Sequence, residues 1–194
     1  MFSNHLKIAL RFTIVTTILF GVLYPLLMTG YARAVNQRKA DGQLIEEHNM
    51  IVGSRIIGQA FTSSGYFHGR PSAAGSGYDA TSSGGSNLGL SSQKLVARIE
   101  QDTKTAASGN PGVLVPSELV EASGSGLDPD ISPAAALYQV DRVAKARHVA
   151  PESVRQLVLT HVEKRQLGFL GEPRVNVLTL NLALDTVAAS PASR

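Results

Sequence analysis

The 194-residue sequence has no cysteine and no tryptophan, and only 6% of its residues are aromatic. Without cysteine there is neither a disulfide framework nor a thiolate metal site. An excess of one charge sign is also missing. Lys7, Arg11 and Arg33 flank an apolar run, and the other 15 Lys and Arg are matched by 15 Asp and Glu. The formal +3 of the chain thus sits around that run; the remainder is neutral and, with few stacking platforms, carries no basic stripe for nucleic acid. It has no GxxxxGK[ST] loop, no GxSxG elbow and no HExxH pair. A Walker-type nucleotide site, a hydrolase nucleophile and a metalloprotease centre therefore have no motif behind them.

What the chain does contain is one long hydrophobic run, and no second stretch approaches its length. Phe12 to Ala32 (FTIVTTILFGVLYPLLMTGYA) is free of charge. At 1.5 Å rise per residue, such a helix covers roughly 30 Å, the hydrocarbon thickness of a bilayer. Backbone crossing lipid must satisfy its own hydrogen bonds, so the run is expected to be helical. The rival reading is a cleaved secretory signal with a small-x-small site at Ala32-Arg33-Ala34. It fits less well, because the run exceeds an ordinary signal core and Arg33 lies inside the site. Pro25 falls mid-span and predicts a kink, or is ordinary anchor composition. Positive charge is nearly balanced across the run, so it leaves the orientation open.

The expected organisation is a short tail (1–11), a transmembrane helix (12–32), a juxtamembrane segment (33–50), one α+β domain (51–188) and a C-terminal tail (189–194). In the juxtamembrane segment, Glu46 and Glu47 sit in an extended helical pattern, and the anchor helix is expected to give way near Gly42. Residues 51–62 read as a strand from their β-branched content, and Tyr66-Phe67 as a second extended piece. Residues 71–89 (PSAAGSGYDATSSGGSNLG) are rich in Gly and Ser but also hold Tyr78, Asp79 and Asn87, which a linker does not need. Ser91 or Ser92 is placed to cap a helix to about Ala107. Val113 to Val120 is a strand candidate, and Ala122 to Ile131 a second small-residue loop. Ser132 with Pro133 starts a helix running to about His148. Pro151 opens another that ends by Gly168. Residues 175–185 fit a strand through alternating leucines or a helix capped by Asn176, with helix preferred.

Few residues suggest chemistry. Asp102-Thr103-Lys104-Thr105 is a scrambled phosphorylation-like motif within a predicted helix, and reads as a solvated face. Ser83-Gly84-Gly85-Ser86-Asn87 could offer backbone amides to a phosphate, though such clusters are more often turns. His161, on an apolar helix face, reads as a packing residue before a ligand. Asp128-Pro129-Asp130 forms a turn ahead of the Ser132 helix. Arg70 and Arg174 each adjoin a proline, where a guanidinium can clamp a carboxylate internally or on a partner. No catalytic set and no metal site emerges.

Three segments carry a more specific signal: YFHGRPSAAGSGYDATSSGGSNLG (66–89), ASGSGLDPDISPAAALYQVDRVAKAR (122–147) and LGFLGEPRVNVLTLNLAL (167–184). Together with the single N-terminal span, in this order and spacing, they resemble the C subunit of the Kdp potassium-transporting P-type ATPase over nearly the whole chain. The resemblance implies an accessory subunit that is not itself an enzyme. It implies a bacterial inner-membrane complex with a channel-like potassium subunit, a P-type ATPase subunit and a small membrane peptide. The N-terminus would be cytoplasmic and the domain extracytoplasmic. ATP, magnesium and potassium would be handled by the partner subunits, and the C subunit would serve assembly and activity. Tyr66, Phe67, Arg70, Tyr78, Asp79, Asn87, Asp128 and Arg174 then become candidates for a docking face, with internal bracing turns as the alternative. Ser83 to Asn87 remains a weak nucleotide candidate. Leu90-Ser91-Ser92-Gln93 departs from the family's usual Pro-Thr-Asn-Pro type sequence. Asp130 and Asp141 stand where histidine and proline are common. A solitary anchored or secreted binding protein or hydrolase is the competing class, and an ATP-responsive modulator the third.

Overall fold

A computed structural model describes residues 2–188; the C-terminal tail expected at 189–194 lies outside them. The N-terminal helix comprises α1 (Phe2–Thr16), a π-helical segment (Thr17–Leu23) and α2 (Tyr24–Ala40). Pro25 explains the middle segment. Its ring would crowd the carbonyl four residues earlier, and it has no amide to donate. The ladder widens just upstream, where the Tyr24 amide reaches back five residues to the Leu19 carbonyl. One wide turn of this kind absorbs the proline without ending the helix. Asn36 leaves helical geometry (φ −148°, ψ 57°) before the helix closes at Ala40. From Ser3 to Ala40 the helix is long and apolar enough to cross a membrane, and none of its most apolar window is buried.

The juxtamembrane expectation needs correction. The helix does stop just short of Gly42, but Glu46 and Glu47 are not helical. They belong to β1 (Leu44–Glu47), which pairs with β2 (Met50–Ser54). His48 and Asn49, both with positive φ (50° and 63°), form the two-residue turn between them. Two consecutive left-handed residues are what a tight hairpin needs. The chain divides into two compact units between Val52 and Gly53.

The second unit is mixed helix and sheet, as expected for an α+β domain. Its three-stranded sheet has the order β3 (Asp130–Ile131), β5 (Arg174–Asn176), β4 (Val162–Glu163), with both pairings antiparallel. Val175, in the middle strand, stands opposite Ile131 on one side and Val162 on the other. Helices α3 (Gln93–Ser108), α4 (Pro133–Tyr138), α5 (Val140–Arg147), α6 (Pro151–Thr160) and α7 (Val177–Ala188) complete it. The core joins Phe67, Ile131, Val140, Val143, Val154, Val158, Val175, Leu180 and Leu184. Two sequence-level start signals operate as expected: the Ser132 hydroxyl accepts the Ala135 amide at 3.1 Å, and Asn176 Oδ1 accepts the Thr179 amide at 3.1 Å. The C-terminal element is therefore a helix, preceded by a short strand.

Four boundaries differ from the sequence reading. The strand expected over 51–62 ends at Ser54. Val113 to Val120 forms turns and a 3-10 turn at Ser117–Leu119 in place of a strand; Pro116 cannot donate to a ladder. The helix from Ser132 breaks at Gln139, whose buried side chain is committed elsewhere. Helix α6 stops at Thr160, because Val162 and Glu163 leave it to join the sheet.

Candidate functional site

The site is assembled on one short stretch of backbone. Tyr66-Phe67 was expected to be extended, yet it belongs to no strand. Two buried amide side chains take the place of sheet neighbours. Asn181 accepts the Phe67 amide (2.8 Å) and donates to the Phe67 carbonyl (2.9 Å). Gln139 does the same for His68, at 2.8 and 3.0 Å. Consecutive residues are thus paired to α7 and to the α4–α5 junction. Buried backbone groups must find partners, and here amide side chains provide them.

The two Gly/Ser loops clasp each other beside this stretch. Ser72 Oγ donates to the Gly126 carbonyl (2.6 Å) and accepts the Tyr78 amide (2.7 Å). The Ser123 amide reaches the Pro71 carbonyl at 3.1 Å, and the Gly84 amide reaches the Ser125 carbonyl at 2.9 Å. Gly126 has φ +68°, and a Cβ there would lie 2.6 Å from the Ala74 nitrogen. Only glycine permits both that conformation and that approach. At Gly85, an added Cβ would meet the Gly124 carbonyl oxygen at 3.1 Å. The small residues therefore bring backbone against backbone within the domain.

Tyr78 locks this arrangement. Its hydroxyl donates to the Arg70 carbonyl at 2.5 Å; its ring edge fills the space a side chain at Gly58 would occupy, and its hydroxyl the space at Gly69. Burial, helped by the Asp128 carboxylate, raises its pKa to about 12, while Arg70 acts in the other direction. Arg70 pairs with Asp128 at 3.3 Å. Arg174 holds Asp130 at 3.0 Å and Glu163 at 3.1 Å, and Glu163 also meets Arg55. Both arginines singled out beside prolines thus clamp carboxylates internally. Tyr66 sits under the Arg147 guanidinium, 4.5 Å from ring centroid to Cζ, and its hydroxyl donates to Asp185.

A cleft of about 640 Å³ opens between the 60–72 segment, α3 and the α4–α5 junction. Arg142 projects from α5, donating to the Ser64 carbonyl (2.6 Å) and to Gln139 Oε1 (2.7 Å). Among the described residues it has no carboxylate partner. Desolvation lowers its pKa. His68 is lowered too, first by burial and then by Arg142, against the opposing hydrogen bond to the Ser63 carbonyl. Across the cleft, burial raises Asp102, with Arg98 opposing. Such a cleft can accept a small polar or anionic group. Among the described residues, no three His, Cys, Asp or Glu side chains converge as a metal site would require.

The predicted docking residues separate into distinct groups. Arg70, Tyr78 and Asp128 lie together on the clasped loops, Arg174 on β5 borders the same shallow hollow as Arg70 and Asp128, and Tyr66 packs separately against Arg147 and Asp185; all five are engaged internally. Phe67 must leave the docking set, since its ring is 0% exposed and belongs to the core. Asp79 is turned back onto Thr81, whose hydroxyl and amide hold its carboxyl below the ordinary value. Asn87 is exposed in a left-handed conformation, φ +50°. In the nucleotide candidate, the Ser83 hydroxyl and Gly84 amide both bond the Ser125 carbonyl. His161 bonds the Leu157 carbonyl through Nδ1 at 2.8 Å, a packing role. Sequence reasoning missed Gln139, Asn181 and Arg142. The one available signal was Asn181, a polar residue within the leucine-rich LTLNLAL segment.

Comparison with known proteins agrees with the sequence-level resemblance. The family model described as the K+-transporting ATPase, c chain, matches residues 6–186. The Koribacter versatilis protein named "Potassium-transporting ATPase KdpC subunit" is 51% identical over 192 residues, covering 99% of this chain and all of the relative. Proteins of the same name from Acidobacterium capsulatum and Gemmatimonas aurantiaca are each 52% identical, over 94% and 98% of this chain and 98% and 96% of their own lengths. With matches of this length, the chain belongs to the KdpC family, the C chains of the potassium-transporting ATPase.

Proposed function

We propose that this chain is a non-catalytic accessory subunit of an ATP-driven potassium uptake complex in the bacterial inner membrane. In this reading the N-terminus lies in the cytoplasm and the domain outside. Nucleotide hydrolysis and potassium selection reside in a P-type ATPase subunit and a channel-like subunit, and a small membrane peptide completes the assembly. The observation that carries this reading is the near-full-length match to proteins named as KdpC subunits. The internal engagement of the conspicuous polar side chains supports it. Arg70, Arg174, Tyr66 and Tyr78 hold the domain in one shape and are not poised for a reaction. A rigid loop surface between Tyr66 and Asn87, joined to Ala122–Asp130, is suited to docking on a partner protein, with exposed Asn87 at its edge.

The test is affinity purification of tagged chain from native membranes of cells grown at low potassium. Recovery with a channel-like subunit and a P-type ATPase subunit, with potassium-stimulated ATP hydrolysis, is expected. Recovery of the chain alone would overturn the proposal. One observation favours a second reading, a solitary binding protein: the Arg142 cleft, whose guanidinium has no carboxylate partner among the described residues. Ligand-dependent melting of solitary chain would favour it.

A further inference from the structure

The turn between β4 and β5 gathers exposed apolar side chains within five residues. Leu167 is 83% exposed, Phe169 68% and Leu170 48%, three large apolar side chains on one protrusion. Its conformation is specific. The Gln166 amide bonds the Leu170 carbonyl and the Leu170 amide bonds the Gln166 carbonyl, both at 2.9 Å. The Gly168 and Phe169 amides bond the Arg165 and Gln166 carbonyls at 3.2 Å. Leu167 holds a left-handed φ of 52°, a conformation unfavourable for a bulky residue. The fold accepts local strain, and the outcome is a leucine pointing into solvent.

We propose that the Leu167–Gly171 turn is a shallow membrane contact, a second hold on the bilayer beside the transmembrane helix. Three features favour lipid over a protein surface. The side chains from Leu167 to Gly171 are hydrocarbon or hydrogen only, so the tip offers no polar group for a protein partner to read. Its amides at Gln166, Gly168, Phe169 and Leu170 are satisfied within the turn, as entry into a medium without hydrogen-bonding partners demands. At its base, Arg165 is braced by Glu172, and Lys164 has no ion pair among the described residues. A net positive charge below an apolar tip complements anionic headgroups. A patch of exposed leucine and phenylalanine on a water-soluble surface calls for an occupant. The bilayer that already holds the anchor is the one these residues fit.

The absence of tryptophan and cysteine makes the test clean. Phe169→Trp gives the chain its single tryptophan, to be excited selectively in the full chain in nanodiscs that contain phosphatidylglycerol and a tryptophan-free scaffold. Expected are a blue-shifted emission and roughly twofold or greater quenching when the lipids carry brominated acyl chains, as for an interfacially inserted side chain. Leu167→Cys carrying a spin label gives a second readout, with oxygen collisions enriched over those of a water-soluble relaxant. Emission typical of water, without bromolipid quenching, would overturn the proposal. Burial that appears only in the assembled complex, again without bromolipid quenching, would overturn it too and assign the turn to a protein partner. Failure of the complex to assemble leaves the nanodisc result decisive, so this inference and the proposed function stand or fall separately.

Discussion

The chain's first and last described helices are both apolar, yet they present that character in opposite directions. In the N-terminal helix, Leu26 is 66% exposed, like its neighbours. In α7, Leu180 and Leu184 are fully buried. Hydrophobicity alone does not decide between these fates. A helix of 38 residues outreaches the ~30 Å hydrocarbon layer, whereas the 12 residues of α7 span only ~18 Å. The second difference is polar content. The charge-free run 12–32 has no Asn or Gln, while α7 carries Asn181 on its buried side, paired at both ends of its amide to the Phe67 backbone. An apolar helix with one buried amide is built to receive a particular segment of protein.

The same substitution in the two helices should therefore have unequal effects, and this is the largest expected difference. Leu180→Ala removes a fully buried side chain and should lower domain stability by about 3–5 kcal/mol. Leu26→Ala should leave domain unfolding within ~0.5 kcal/mol of the parent. Urea unfolding of the full chain in detergent, followed by circular dichroism, measures both. Equal losses would break the comparison, because the anchor would then contribute to domain stability.

Next in size is the amide itself. Asn181→Leu makes α7 more apolar and keeps the number and branching of heavy side-chain atoms. On hydrophobicity alone it should stabilise. It should instead cost about 2–4 kcal/mol, because the buried Phe67 amide and carbonyl lose their partners together. A variant as stable as the parent would show that water or a backbone shift replaces Asn181, and that its role in the contrast with the anchor is incidental.

The sequence made some of this visible and hid the rest for physical reasons. The anchor, the Ser132 and Asn176 caps and the start of α6 depend on contiguous residues, and each was legible. Gln139 and Asn181 were not, because their partners lie 71 and 114 residues away in the chain. The same holds for Arg174, whose proline neighbour suggested a clamp but not that Asp130 and Glu163 fill it. The Gly/Ser loops were read as either docking or bracing. Their composition fits both, and only the approach of Gly126 to Ala74 shows that bracing is present. Glu46 and Glu47 were misread since helical periodicity over a few residues is weak beside the two left-handed residues, His48 and Asn49, that fold the chain back.

The smallest expected effect concerns a polar group that the domain conceals and the anchor has no counterpart for. The Tyr78 hydroxyl bonds the Arg70 carbonyl, and its pKa is raised from the ordinary 10 to about 12. The folded state thus prefers the protonated hydroxyl. Its contribution is complete below pH 10, where folded and unfolded chains both keep the proton, and is lost as pH rises from 10 towards 12. Tyr78→Phe should cost about 1 kcal/mol at neutral pH, the net value of one hydrogen bond. The gap between parent and variant should close as the pH climbs through that window. Unfolding midpoints of the two proteins at pH 7, 9, 10 and 11 give the comparison. A gap that stays constant to pH 11 would mean that the hydroxyl is exposed enough to ionise alike in both states, and that Tyr78 braces the loops through its ring against Gly58 alone.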